Sequence, residues 1–146
     1  MPLLAPPPDP DFAEQRLSVS AGVGWPEIGA LDVRFRPEPR IGVGAWFAIS
    51  GPLVALYATP MAYFRHYMGG TADAFFVQFG AGSRLRGLFG GEPLQAAPLL
   101  LASYGYEWRL PGGLNASIDG GGVFDFALSG ASPVLRLGLR LGWSAL

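Results

Sequence analysis

Val134-Leu135-Arg136-Leu137-Gly138-Leu139-Arg140-Leu141-Gly142-Trp143 is the stretch that decides the fold. Successive side chains of a strand point to opposite faces, so one face here is four leucines and a tryptophan, and the other is arginine and glycine. An apolar row of this kind suits either a protein core or lipid. Repetition separates the two: most of the chain reads the same way, and no helix is available to cover so much sheet. The pattern predicts a closed barrel with its oily face outward, in a membrane.

Seven further strands are predicted upstream. Arg16 to Trp25 sets Leu17, Val19, Ala21, Val23 and Trp25 against Ser18, Ser20, Gly22 and Gly24. After a turn over 26–30, Leu31 to Arg36 sets Leu31, Val33 and Phe35 against Asp32, Arg34 and Arg36. Arg40 to Ser50 carries Ile41, Val43, Ala45, Phe47 and Ile49 on its apolar face. Leu53 to His66 has apolar residues at both parities, and Pro60, which cannot donate a ladder hydrogen bond, predicts a bulge or distorted pairing there. Ala74 to Leu88, Leu99 to Leu110 and Leu114 to Ala127 follow, with the longest loop over 89–98 and compact turns at Gly69-Gly70 and Pro111-Gly112-Gly113. Strands of about 9 to 14 residues that alternate apolar-out with polar-in mark a transmembrane β-barrel. The ladder must close, since an open edge leaves backbone groups unsatisfied in lipid.

Composition agrees. Half of the 146 residues are hydrophobic and 14% are charged, against about a quarter charged in ordinary soluble domains. That is too little charge to coat a globule. A net charge of −1, with no basic cluster interleaved with stacking aromatics, gives no case for nucleic acid. Cysteine is absent, which excludes disulfides and thiolate chemistry. No stretch approaches the ~20 apolar residues of a transmembrane helix. Residues 1–15 carry five of the 14 prolines and three acids, Asp9, Asp11 and Glu14, and are expected to form a stiff periplasmic tail or linker before a barrel over 16–146. No secretory signal is visible after Met1, so export implies that a signal peptide has been removed.

The run Ala102-Ser103-Tyr104-Gly105-Tyr106-Glu107-Trp108, the strand number and the aromatic-ended last strand together resemble the small outer-membrane barrels of the OmpA, OmpX and opacity-protein kind. The resemblance covers residues 16–146. It departs at the end, where Ser144-Ala145-Leu146 follow Trp143, while the family usually ends on the aromatic itself. It implies an all-β, closed, antiparallel up-and-down transmembrane β-barrel of eight strands in the outer membrane of a Gram-negative-type bacterium. That superfamily hosts structural, adhesive and enzymatic members alike.

Sorting charges by parity predicts an inward network of Asp32, Arg34, Arg36, Arg65, Arg84, Arg86, Glu107, Arg109, Asp119, Asp125, Arg136 and Arg140. Eight arginines then face four acids, and mutual ion pairs plugging a narrow lumen are the expected outcome. The surplus of arginine leaves a second possibility, an anion held inside or a narrow anion channel. Trp25, Tyr104, Tyr106, Trp108 and Trp143 are expected at the membrane interfaces, where barrels carry aromatic girdles. The alternative of a soluble barrel with ordinary hydrophobic packing turns the same alternation inside out.

His66 is the single histidine and so the one weak catalytic candidate, since acyl transfer by a hydroxyl wants a Ser–His pair with an orienting acid. Inward Ser18, Ser20, Ser50, Ser103 and Ser117 could supply the hydroxyl. A lipid-modifying acyl hydrolase or transferase is therefore the alternative to a structural or anchoring barrel, and is not the reading adopted. One histidine and no cysteine offer no metal-ligand cluster, and no cofactor is implied. The expected partners are outer-membrane lipid and a protein in the membrane or periplasm.

Overall fold

The computed structural model describes residues 15–51, 56–69, 74–88, 93–126 and 132–145. Of the expected tail, only Gln15 is among them. Eight strands form one closed barrel: β1 Leu17–Trp25, β2 Glu27–Glu38, β3 Ile41–Ser50, β4 Tyr57–Met68, β5 Ala74–Arg86, β6 Gln95–Arg109, β7 Leu114–Asp125 and β8 Ser132–Ala145. Each pairs antiparallel with its neighbour in sequence, and β1 closes on β8 through pairs running from Leu17↔Ala145 to Trp25↔Leu137. Following partners once round from Leu17 through Phe35, Val43, Phe64, Phe79, Ala102, Gly122 and Leu135 returns about ten residues further along β1, a stagger that goes with strands tilted by roughly 40°. At that tilt 9 to 11 residues cross a hydrocarbon layer (an approximate figure), and every strand is at least that long.

Alternation becomes an outside and an inside. Leu135, Leu137, Leu139, Leu141 and Trp143 are 49–66% exposed, while Arg136 and Arg140 between them are buried. The core is the lumen. Trp46, Ala48, Met61, Tyr63, Leu99, Leu101 and Val123 form one buried cluster there, and Tyr67, Ala74 and Phe76 a second. Gly44 shows how tightly it is filled: a Cβ there would stand 2.5 Å from the Tyr63 ring and 2.7 Å from the Val33 carbonyl oxygen.

Several strand limits differ from those expected. β2 begins at Glu27, so the turn predicted over 26–30 contracts to Pro26, and a register shift between Glu27 and Gly29 accommodates the extra chain. β6 begins at Gln95, because its first residues pair with Arg86 through Ser83 and absorb the second half of the expected loop over 89–98. β4 runs from Tyr57 to Met68, and residues 53–55 of the expected strand fall outside the described residues. At Pro60 the ladder to β3 is unbroken; that to β5 skips Thr59 and Pro60 and resumes in the same register, a distortion without a bulge. Ala58 is fully buried, and its small side chain sits between the larger Ile49 and Leu85 as cross-strand partners.

The chain enters and leaves at one end of the barrel. Connections there are short, over 39–40, 69–73 and 110–113. In the last of these, Gly112 takes φ +79° and the Leu110 N–H donates to the Leu114 carbonyl at 2.8 Å. At the far end the connections over 51–56, 87–94 and 126–131 are longer, and only the one at Pro26 is shorter.

Candidate functional site: the charged lumen

The lumen holds two ionic clusters, each drawing on several strands of the wall. Nearer the chain ends, Glu107 of β6 is the hub. Its carboxylate accepts from Arg34 of β2 (Nη1 to Oε2 2.9 Å, Nη2 to Oε1 3.1 Å), from Arg65 Nη1 of β4 at 2.9 Å, from Arg109 Nε at 3.2 Å and from the Tyr67 hydroxyl at 3.1 Å. Arg65 also donates from Nε and Nη2 to Gln78 Oε1, at 3.0 and 2.7 Å, and lies 3.8 Å over the Phe76 ring. Arg36 is held differently: Nη2 donates to the Pro39 carbonyl at 2.8 Å and the guanidinium stacks 4.9 Å from the Tyr67 ring. The ring faces of Tyr67 and Phe76 thus share work with the Glu107 carboxylate, since aromatic faces attract guanidinium.

Further along the lumen Arg136 is the hub. Its Nε and Nη2 donate to Glu27 at 2.6 and 3.2 Å, its Nη1 donates to Asp119, and its guanidinium lies 4.3 Å over Trp46. Arg140 Nη2 approaches Asp119 Oδ1 at 3.4 Å. Asp32 accepts from the Tyr63 hydroxyl at 2.5 Å and from Ser20 at 3.3 Å. At the far end Arg84 pairs with Asp125, and Arg86 stacks 5.0 Å from Tyr57.

Glu27, Tyr67 and Gln78 are among the partners that the charge sorting does not contain. Glu27 lies in the segment read as a turn, and the register shift at Gly29 reverses its facing relative to Asp32. Tyr67 lies one residue past the expected end of its strand, and Gln78 is uncharged. Continuing the strand's parity beyond His66 would have found Tyr67.

His66 is exposed on the outer face of β4, cross-strand from Ile41 and Val77. Ser18, Ser20, Ser50, Ser103 and Ser117 are buried on the inner face, so the wall separates histidine from hydroxyl. Ser18 instead bonds Ser144, which also accepts from Asn115, both at 2.8 Å. Among the described residues no His, Asp and Glu side chains gather into a metal-ligating group of three.

On the outer wall Trp108 and Trp143 lie at the end where the chain begins and finishes, and Trp25 at the other. Tyr106 packs edge-on between Trp108, 5.0 Å away, and Phe75, 4.7 Å away. The Trp143 indole N–H donates to the Gly112 carbonyl at 2.7 Å. Tyr104 stands apart from these rings, outward and midway along β6 between Val77 and Gly120.

The closed ladder and the filled lumen can be set beside known structures. The crystal structure of the N-terminal β-barrel domain of Pseudomonas aeruginosa OprF superposes with a TM-score of 0.65, over 90% of this chain and 98% of that one, at 11% identity. The chain has the fold of a small eight-stranded OprF-type barrel. No protein-family model matches it, and no curated protein matches it in sequence. Identity this low carries the architecture and not the residues of the lumen, so the ionic clusters stand on their own geometry.

Proposed function

We propose that the chain is a β-barrel of the outer membrane of a Gram-negative-type bacterium, with a structural or anchoring role and a lumen filled by its own side chains. The observation that carries this reading is the inversion of the usual arrangement: large apolar side chains cover the outside and charged ones fill the inside. Leu31, Phe79, Leu137 and Leu141 are all more than half exposed, whereas Arg65, Asp125 and Arg136 have no exposure at all. A soluble protein rarely exposes contiguous apolar patches beyond a few hundred Å². Lipid removes the difficulty, because the strands satisfy one another's backbone groups and the oily wall meets an oily solvent.

Outer-membrane barrels have short periplasmic turns and longer outer loops. The connection lengths therefore support termini in the periplasm and a tail, residues 1–15, in the same compartment. Outer-membrane lipid is the partner of the whole wall, and a protein of the membrane or periplasm is the partner that an anchor requires. The buried layer of Trp46, Met61, Leu99, Leu101 and Val123 argues against a water-filled anion path, and the outward His66 against a Ser–His acyl enzyme.

The natural absence of cysteine allows a clean test. Single cysteines at Leu137, Leu139 and Leu31 are labelled with a polarity-sensitive fluorophore after reconstitution in phospholipid vesicles. Emission typical of hydrocarbon is expected at all three. Emission typical of bulk water at all three, in protein that shows heat-dependent gel mobility, overturns the membrane reading.

A further inference from the structure

One carbonyl in the barrel wall receives no donor from the ladder. The Tyr67 N–H donates to the Arg40 carbonyl at 2.8 Å, so odd-numbered residues of β4 turn their backbone groups towards β3 and even-numbered ones towards β5. Pro60 therefore faces β5, where the flanking pairs Met61↔Gly82 and Ala58↔Leu85 place Ser83 opposite it. The Ser83 N–H and C=O both point at Pro60, and a proline has no N–H to donate. On its β6 side Ser83 stands opposite Pro98, so the facing residue is a proline on both sides. A backbone carbonyl without a donor is costly where the solvent is hydrocarbon.

Pro60 and Ser83 both line a groove of about 460 Å³ in the outer wall. Ala45, Ala62 and Ala81, exposed cross-strand partners on β3, β4 and β5, form its floor, and Phe47 lines it beside Pro60. A volume in the range of roughly 300–1,000 Å³, largely apolar with few polar groups, is that of a small-ligand site. Pro60 and Ser83 lie three residues inside the far ends of β4 and β5, and Ala62 and Ala81 lie two residues nearer the middle of the wall. We propose that this groove is a lipid site, in which an acyl chain lies along the alanines and a hydroxyl or amide N–H at its polar end donates to the Ser83 carbonyl. The site rests on the membrane reading above, under which headgroups meet the strand ends and hydrocarbon meets the alanines. The groove supplies contact area, and the carbonyl supplies selection. A lipid with a donor completes the hydrogen bond that Pro60 cannot make, whereas phosphatidylcholine, with no O–H or N–H, leaves the acceptor unmet.

The test is photocrosslinking of the full chain in phosphatidylcholine vesicles. A diazirine is carried on the acyl chain of ceramide, which has an amide N–H and hydroxyls, or on that of phosphatidylcholine itself, and crosslinks are mapped by peptide mass spectrometry. Ceramide should label residues 58–64 and 79–85 at least about threefold above the rest of the wall, saturably and in competition with unlabelled ceramide, whereas phosphatidylcholine should label the wall evenly. Pro60→Ala gives the Ser83 carbonyl an N–H and leaves the groove open, so the preference for ceramide should fall by about three- to tenfold. Ala62→Phe fills the floor and should abolish the excess labelling of both segments. Heat-dependent gel mobility checks that each variant is folded. Even labelling by both lipids, or a ceramide preference unchanged in Pro60→Ala, overturns the site. Should Pro60→Ala fail to fold, excess ceramide labelling that persists in Ala62→Phe overturns it. A stable dimer that keeps ceramide out assigns the groove to a second copy of the chain and overturns it too. Failure of the membrane reading looks different, since neither lipid would then label the wall.

Discussion

Glu107→Gln is the sharpest single perturbation of this barrel. The replacement is isosteric and removes one negative charge from the contact point of Arg34, Arg65, Arg109 and the Tyr67 hydroxyl. Deleting one partner of a buried ion pair costs about 3–5 kcal/mol, because the other charge is left buried without compensation. Here three guanidiniums lose their shared partner, which argues for the top of that range. The amide retains one acceptor oxygen, which argues for less, while its NH2 group points donors at cations. The balance is about 4 kcal/mol, a large share of the 5–15 kcal/mol by which folded domains are typically stable. Urea unfolding from vesicles, followed by tryptophan emission and the heat-dependent gel shift, measures it. Adding Arg34→Met should then cost less than it does alone, since it removes one of the stranded charges; the difference is the coupling energy. A loss below about 1 kcal/mol for Glu107→Gln would refute the claim that this carboxylate holds the terminal half of the lumen together.

Leu139→Arg, midway along β8 and cross-strand from Val23 and Ile118, should cost ~2–4 kcal/mol if it meets lipid, read from the same unfolding curves. Gly44→Ala should destabilise by about 1–3 kcal/mol through overpacking against Tyr63, whereas Gly29→Ala, whose Cβ meets nothing within 4 Å, should change little. In planar bilayers the barrel should give no large, steady single-channel conductance; observing one would mean that the apolar layer around Trp46 and Leu101 does not fill the lumen. His66→Ala should leave stability within about 0.5 kcal/mol, and loss of acyl hydrolysis or transfer on lipid substrates in that variant would revive the enzyme reading.

The outer wall was legible because one rule governs it. Every outward position meets the same surroundings, so a period of two suffices to sort Leu135, Leu137 and Leu139 from Arg136, Gly138 and Arg140. Strand ends were less so. Proline at 26 suggested a turn, yet a proline can lie beside a tight reversal and let the next strand begin at once, which is where Glu27 was lost. A register shift then hides such a residue twice over, because one extra residue changes which face the chain presents.

Interior partners were beyond any local rule. Alternation assigns Arg34 and Glu107 to the lumen, but they are 73 positions apart, and Arg136 and Glu27 are 109 apart. Which side chains meet is set by stagger and tilt, quantities that exist only once the sheet has closed. The same closure lets apolar Phe76, Leu99, Leu101 and Val123 occupy inward positions, so facing cannot be equated with polarity inside as it can outside. An outer wall needs only to be oily, and many sequences satisfy it; the lumen must satisfy itself pair by pair. The residues that distinguish this barrel from another of the same architecture are therefore the inward ones, as the meeting of Arg34, Arg65 and Arg109 on Glu107 illustrates.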